Sequence, residues 1–79
     1  MRARHKVIRN REQYEHVLAC LVQLREQRNK TQAQVAAGIA LSRSQYTLIE
    51  KGQSTLSIDQ LISLAQFYGI EPRVFFASQ

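Results

Sequence analysis

Apolar residues recur along this chain at helical spacing, in blocks separated by polar residues that suit helix caps. In the first block Tyr14, Val17, Leu18 and Leu21 fall at i, i+3, i+4 and i+7, and Leu24 extends the stripe. Three later blocks each open on the same signature, a Ser or Thr followed three residues on by Gln: Thr31 with Gln34, Ser42 with Gln45, Ser57 with Gln60. Such a pair forms a capping box, in which the hydroxyl and the amide each satisfy an otherwise unpaired backbone N–H. Asn10 with Gln13 is a looser version of the same pattern, since Asn also caps well.

These signals predict a first helix from about Arg11 to Arg28, with Asn29 as a left-handed residue after its end. A second helix runs from Gln32 to about Gly38, with Val35 and Ala36 inward. A third runs from Arg43 to about Lys51, with Tyr46 and Ile49 inward and Gly52 ending it. A fourth runs from Ile58 to Tyr68, burying Ile58, Leu61, Leu64, Ala65 and either Tyr68 or Phe67, and Gly69 stops it. Pro72 suits the first position of a short fifth helix carrying Val74, Phe75 and Phe76. No segment has a β pattern, a solenoid-length repeat or a low-complexity composition. The expectation is an all-α domain of five helices over residues 10–79, preceded by an arm at residues 1–9.

Charge changes this picture at one end. The formal net charge is +5. Arg2, Arg4, Lys6, Arg9 and Arg11 stand in residues 1–11 without an acid among them, and the remaining residues are balanced. The excess therefore lies in the arm, which suits a polyanion, nucleic acid before membrane, or else is a solvated terminus. With 79 residues the chain has room for one domain. A domain near this size buries only about 60% of the surface its unfolded chain exposes, so dimerisation would add useful buried area.

Other chemistries find little support. Cys20 is the one cysteine, which excludes an internal disulfide and fits a reducing compartment. It reads as a small packed side chain rather than a nucleophile. His5 and His16 have no partner at metal-ligand spacing, so no metal is expected. No phosphate-binding loop, zinc-protease motif, nucleophile elbow or carboxylate pair is present, and neither catalysis nor a cofactor is inferred. No apolar stretch approaches the ~20 residues of a membrane span. No apolar run follows the basic N-terminus, so a secretory signal is not expected and the expected location is cytoplasmic.

The stretch that carries function is Gln32–Glu50: two short capped helices joined by the tight turn Gly38-Ile39-Ala40-Leu41. Ala36 is small enough to let the third helix cross close over the second. Val35, Ile39, Leu41, Tyr46 and Ile49 would form the apolar joint, leaving the N-terminal end of the third helix protruding. A protruding helix end matches the width of the DNA major groove.

Here the sequence resembles the phage-repressor family of helix-turn-helix proteins, also called XRE or Cro-like. The matching residues are LREQRNKTQAQVA (Leu24–Ala36), LSRSQYTLIEKG (Leu41–Gly52) and LSIDQLISLAQFYGI (Leu56–Ile70). The resemblance covers about residues 17–76 without a gap, and it implies a compact five-helix bundle of that type. It also implies roles. Arg43, Ser44, Thr47 and Leu48 occupy the groove-facing positions of the recognition helix. Arg43 either grips guanine O6 and N7 or contacts phosphate, and Ser44 predicts no particular base. Thr47 can touch a thymine methyl, and Leu48 either does so or packs against the fourth helix. Thr31 and Gln32 open the helix that meets a phosphate. Arg28, Lys30, Lys51, Gln53 and Ser54 are the remaining candidates for the DNA backbone. Arg25 and Glu50 match the family's internal ion pair.

Two residues depart from the family pattern. Ala40 replaces the usual turn glycine, and Lys30 stands where an apolar residue is common. Phe67, Ile70, Val74, Phe75 and Phe76 are the expected dimer surface, because the family commonly dimerises through this region. Their alternative role is core packing. The expected function is a transcriptional regulator, a repressor or autoregulatory controller, that binds a palindromic operator on double-stranded DNA as a homodimer. The ending and size also look similar to controller proteins of restriction–modification systems. The alternatives are an antitoxin whose partner is a toxin protein, with the arm as a contact, and a helix-turn-helix adaptor that binds no DNA.

Overall fold

The computed structural model describes residues 10–77. The basic arm expected at residues 1–9 lies outside the described residues. Four α-helices follow one another: α1 (Arg11–Gln27), α2 (Gln32–Gly38), α3 (Arg43–Glu50) and α4 (Ile58–Tyr68). The expected fifth helix is a 3₁₀ segment, Pro72–Phe76. Its bonds span three residues, Val74 N–H to Glu71 O and Ala77 N–H to Val74 O. Pro72 has no N–H to give, and five residues are too few for a sustained α ladder, so the tighter turn wins. The architecture is therefore four α-helices and a 3₁₀ turn rather than five helices.

The three Ser/Thr–Gln pairs are complete capping boxes, with both reciprocal bonds formed at Thr31–Gln34, Ser42–Gln45 and Ser57–Gln60. Asn10 holds the N-cap position of α1, and its carbonyl accepts from the Tyr14 N–H at 2.9 Å, but its side chain makes no cap bond. Its ψ of 62° departs from the extended backbone, ψ near 160°, of the three residues whose side chains do cap. Helix ends differ from expectation by one residue, as Arg28 and Lys51 are C-caps and not helical. Asn29 and Gly69 hold the left-handed conformation beyond α1 and α4, with φ of 57° and 69°. Ala40 holds it too, at φ 61° in the α2–α3 turn, where its Cβ costs about 1 kcal/mol that glycine would avoid.

The core gathers Val17, Leu18 and Leu21 from α1, Val35 and Ala36 from α2, and Tyr46 and Ile49 from α3. Leu61, Leu64, Ala65 and Tyr68 from α4, together with Ile39 and Phe75, close it. Ile58, expected inside, is 70% exposed. It sits on the first turn of α4, outside the core's edge, while the preceding loop contributes Leu56 there. Of the α4 aromatics, Tyr68 is buried and Phe67 half-buried, its ring lying where a Cβ on Gly38 would stand. That close approach seats the end of α2 on α4. Two bonds fasten the outer pieces to α1. Tyr14 Oη accepts from the Leu56 N–H at 2.9 Å, and His16 Nε2 donates to the Ala77 carbonyl at 2.7 Å.

Candidate nucleic-acid interface

α2 and α3 cross with small Ala36 buried at the joint, and the turn between them is closed by backbone bonds from Ile39 and Leu41 to Ala36 O. Tyr46 and Ile49 face inward along α3. The opposite side of α3 is therefore left to Arg43, Ser44 and Leu48, all exposed, and half-buried Thr47. These four residues line a shallow open hollow on the surface. Leu48 is 41% exposed, so it belongs to this face more than to the packing against α4.

Behind that face lies a polar network centred on Glu50. Its carboxylate accepts from Arg25 Nε at 2.8 Å and Arg25 Nη2 at 3.2 Å, from Gln32 Nε2 at 2.9 Å and from Tyr46 Oη at 2.6 Å. Four donors occupy about all the lone-pair sites a carboxylate has. The Arg25 and Glu50 side chains retain 15% and 5% of their exposure. Burial pushes the Glu50 carboxyl upward, but the hydrogen bonds from Arg25, Tyr46 and Gln32 outweigh it and hold the group below its ordinary value. The bond to Glu50 raises the Arg25 guanidinium, against its own partial burial. Burial, and then the bond to Glu50, raise the Tyr46 phenol. The network continues outward. Arg25 Nη1 donates to the Lys30 carbonyl at 3.1 Å, and Thr47 Oγ1 donates to Gln32 Oε1 at 2.9 Å. One buried acid thus ties α1, the α1–α2 loop, the start of α2 and the middle of α3 into a fixed frame.

The other anticipated residues lie around this frame in different states. Thr31 is exposed, with its hydroxyl in the α2 capping box. The Gln32 amide bonds to Glu50 and Thr47 at its two ends. Lys30, Lys51 and Gln53 are exposed, and Ser54 is half-buried. The backbone N–H groups of Gln53 and Ser54 both bond the Leu48 carbonyl, folding the loop back over the end of α3. Arg28 points elsewhere: Nη1 donates to the Tyr68 carbonyl at 3.1 Å, and the guanidinium lies 5.8 Å from the Tyr68 ring centroid. It serves the end of α4, as a cation over an aromatic face and a donor to a helix-terminal carbonyl.

The anticipated dimer residues divide. Phe75 has no exposure and belongs to the core, so it is removed from that surface. Its neighbours Val74 and Phe76 stay 41% and 59% exposed, because a 3₁₀ turn directs successive side chains to different sides. Phe67 and Ile70 are half-buried. Ile62 was not anticipated and is exposed on α4, one turn after Ile58. The hydroxyl of Tyr46 was also missed, since the residue reads as a joint hydrophobe. Its position one turn before Glu50 is the signal that reveals it.

A family model described as helix-turn-helix matches residues 21–75, which spans the network, α2, α3 and α4. The chain belongs to this family. It is a phage-repressor-like helix-turn-helix protein, and a DNA-binding transcription regulator. Within the matched residues α2 and α3 are the two helices joined by the turn that holds Ala40. Searches of the curated proteins and of the solved structures return no match. No helix among the described residues is long and apolar enough to cross a membrane.

Proposed function

We propose that this helix-turn-helix protein is a sequence-specific repressor or autoregulatory controller that binds a palindromic operator as a homodimer, with α3 in the major groove. The observation that carries the reading is the bare outer face of α3. Arg43, Ser44 and Leu48 are exposed around one hollow, and the nearest acid in sequence, Glu50, is internally paired. Arg43 reads a guanine through two hydrogen bonds, which is worth about 1–3 kcal/mol of discrimination. Thr31, Lys30, Lys51, Gln53 and Ser54 flank α3 and meet phosphates, and Gln32, whose amide is held by Glu50 and Thr47, does so through its backbone N–H. Arg28 is tied to Tyr68 and contributes general positive charge at most.

Selection of bound sequences from random duplexes tests this. The expected product is a short inverted repeat with half-site centres about 34 Å apart. Arg43→Ala relaxes one base pair per half-site. Lys51→Ala weakens all sequences alike and reduces the salt slope by about one. A protein that binds no duplex at low ionic strength ends the proposal.

The dimer reading is supported by Val74 and Phe76, which are exposed, and by Phe67 and Ile70, which are half-buried. A two-fold axis through this patch would bury them against their own copies. Phe76→Glu should give a monomer by sedimentation, and cooperative operator binding should go with it. Nothing among the described residues favours the antitoxin alternative, and its candidate toxin contact, the arm at residues 1–9, lies outside them.

A further inference from the structure

Gln32 and Thr47 meet across the α2–α3 joint, and the direction of the bond between them is dictated by Glu50. A carboxylate only accepts, so Glu50 Oε1 takes the Nε2 end of the Gln32 amide, at 2.9 Å. That turns Gln32 Oε1 toward Thr47. An amide oxygen also only accepts, so Thr47 Oγ1 commits its single hydrogen to it, at 2.9 Å. Thr47 keeps a methyl group and an oxygen that can accept but not donate. Ser44 lies on the same hollow with no side-chain hydrogen bond among the described residues, so it retains both capacities.

We infer that Thr47 is a specificity-determining residue that reads an A·T pair: its oxygen accepts from the adenine 6-amino group, and its methyl, with Leu48, seats the thymine methyl. This rests on α3 being the recognition helix. In the major groove, adenine and cytosine each offer an amine donor, while guanine O6 and N7 and thymine O4 only accept. A hydroxyl whose hydrogen is committed cannot serve the acceptors. Of the two pairs that offer an amine, A·T alone adds a methyl, and the hollow that Thr47 and Leu48 line together with Arg43 and Ser44 gives that methyl a seat. Gln32 and Glu50 are positioning residues here. They act through Thr47 by fixing which way its hydroxyl points.

The test compares base preferences of the wild type, Thr47→Val and Gln32→Met, each checked for fold by circular dichroism. The position read by Thr47 is the one whose preference changes in Thr47→Val, and the wild type should select A·T there. In the wild-type complex, replacing that adenine by purine, which lacks the amine, should weaken binding about 5-fold. Replacing the thymine by uracil should weaken it about 4-fold, the worth of one methyl. Thr47→Val keeps the shape and loses the lone pairs, so it should become indifferent to the amine yet stay sensitive to uracil. Gln32→Met frees the Thr47 hydrogen and should admit guanine at that position. A wild-type preference for G·C there overturns the inference. So does equal sensitivity of wild type and Thr47→Val to loss of the amine, or an unchanged preference in Gln32→Met. A wild type that selects no sequence at all instead refutes the recognition-helix reading beneath it.

Discussion

Replacing Glu50 by Gln changes one carboxylate oxygen into an NH₂ group and removes the charge opposite Arg25. In the wild type each oxygen accepts two bonds: Oε1 from Arg25 and Gln32, Oε2 from Arg25 and Tyr46. Whichever way the new amide turns, its NH₂ faces two former donors. Tyr46 can reverse and accept, but Arg25 cannot, since a guanidinium has no acceptor. About two bonds to charged groups are therefore lost or weakened, at roughly 1.5–3 kcal/mol each. The Arg25 charge is also left without a counterion at 15% exposure. Both routes converge on about 3–5 kcal/mol, the usual cost of breaking a buried pair by removing one partner. A chain of this length is stable by roughly 4–12 kcal/mol, so the variant should be mostly unfolded at worst and folded but weakened at best. Urea unfolding followed by circular dichroism measures the loss. The double variant Arg25→Met/Glu50→Gln should cost less than the two single changes together, by more than about 1 kcal/mol, because neither residue then buries a bare charge. A loss below about 1 kcal/mol for Glu50→Gln, the worth of an exposed pair, refutes the network as a structural centre.

The same carboxylate sets a pH dependence. Its folded value lies below its ordinary one, so the unfolded chain binds more protons between the two. The stabilisation is complete above about pH 4.3 and is lost as pH falls through the folded value; urea midpoints should drop on acidification, and Glu50→Gln should flatten that slope. Ala40→Gly relieves the left-handed strain at φ 61° and should stabilise the domain by about 1 kcal/mol; a destabilised variant in thermal melts argues against strain there. Gly38→Ala places a Cβ where the Phe67 ring lies, and the overlap, about 1–3 kcal/mol, should exceed alanine's helix advantage, so the melting temperature falls. The Tyr68 hydroxyl is buried without a hydrogen-bond partner among the described residues, so Tyr68→Phe should be neutral or stabilising by about 1 kcal/mol; a clear loss of stability by the same melts shows that the hydroxyl has a partner.

Helix positions and ends were legible in the chain because they rest on interactions a few residues long. A capping box joins residues three apart, a stripe repeats every turn, and a glycine or asparagine after a helix supplies its own left-handed bend. The three boxes and the bounds of α2 and α4 follow from such neighbours, whereas the left-handed turn at Ala40 goes against its residue's own preference. Tertiary structure decided everything that depends on where two helices cross. Apolar character alone could not say that Ile58 is outside while Leu61 is inside, or that Phe75 is buried between exposed Val74 and Phe76. Nor could it turn Arg28 toward Tyr68, or fill the lone pairs of Glu50 with donors from α1, α2 and α3. Those outcomes depend on groups brought within about 3 Å from as far as 40 residues away, a distance that spacing along the chain does not encode.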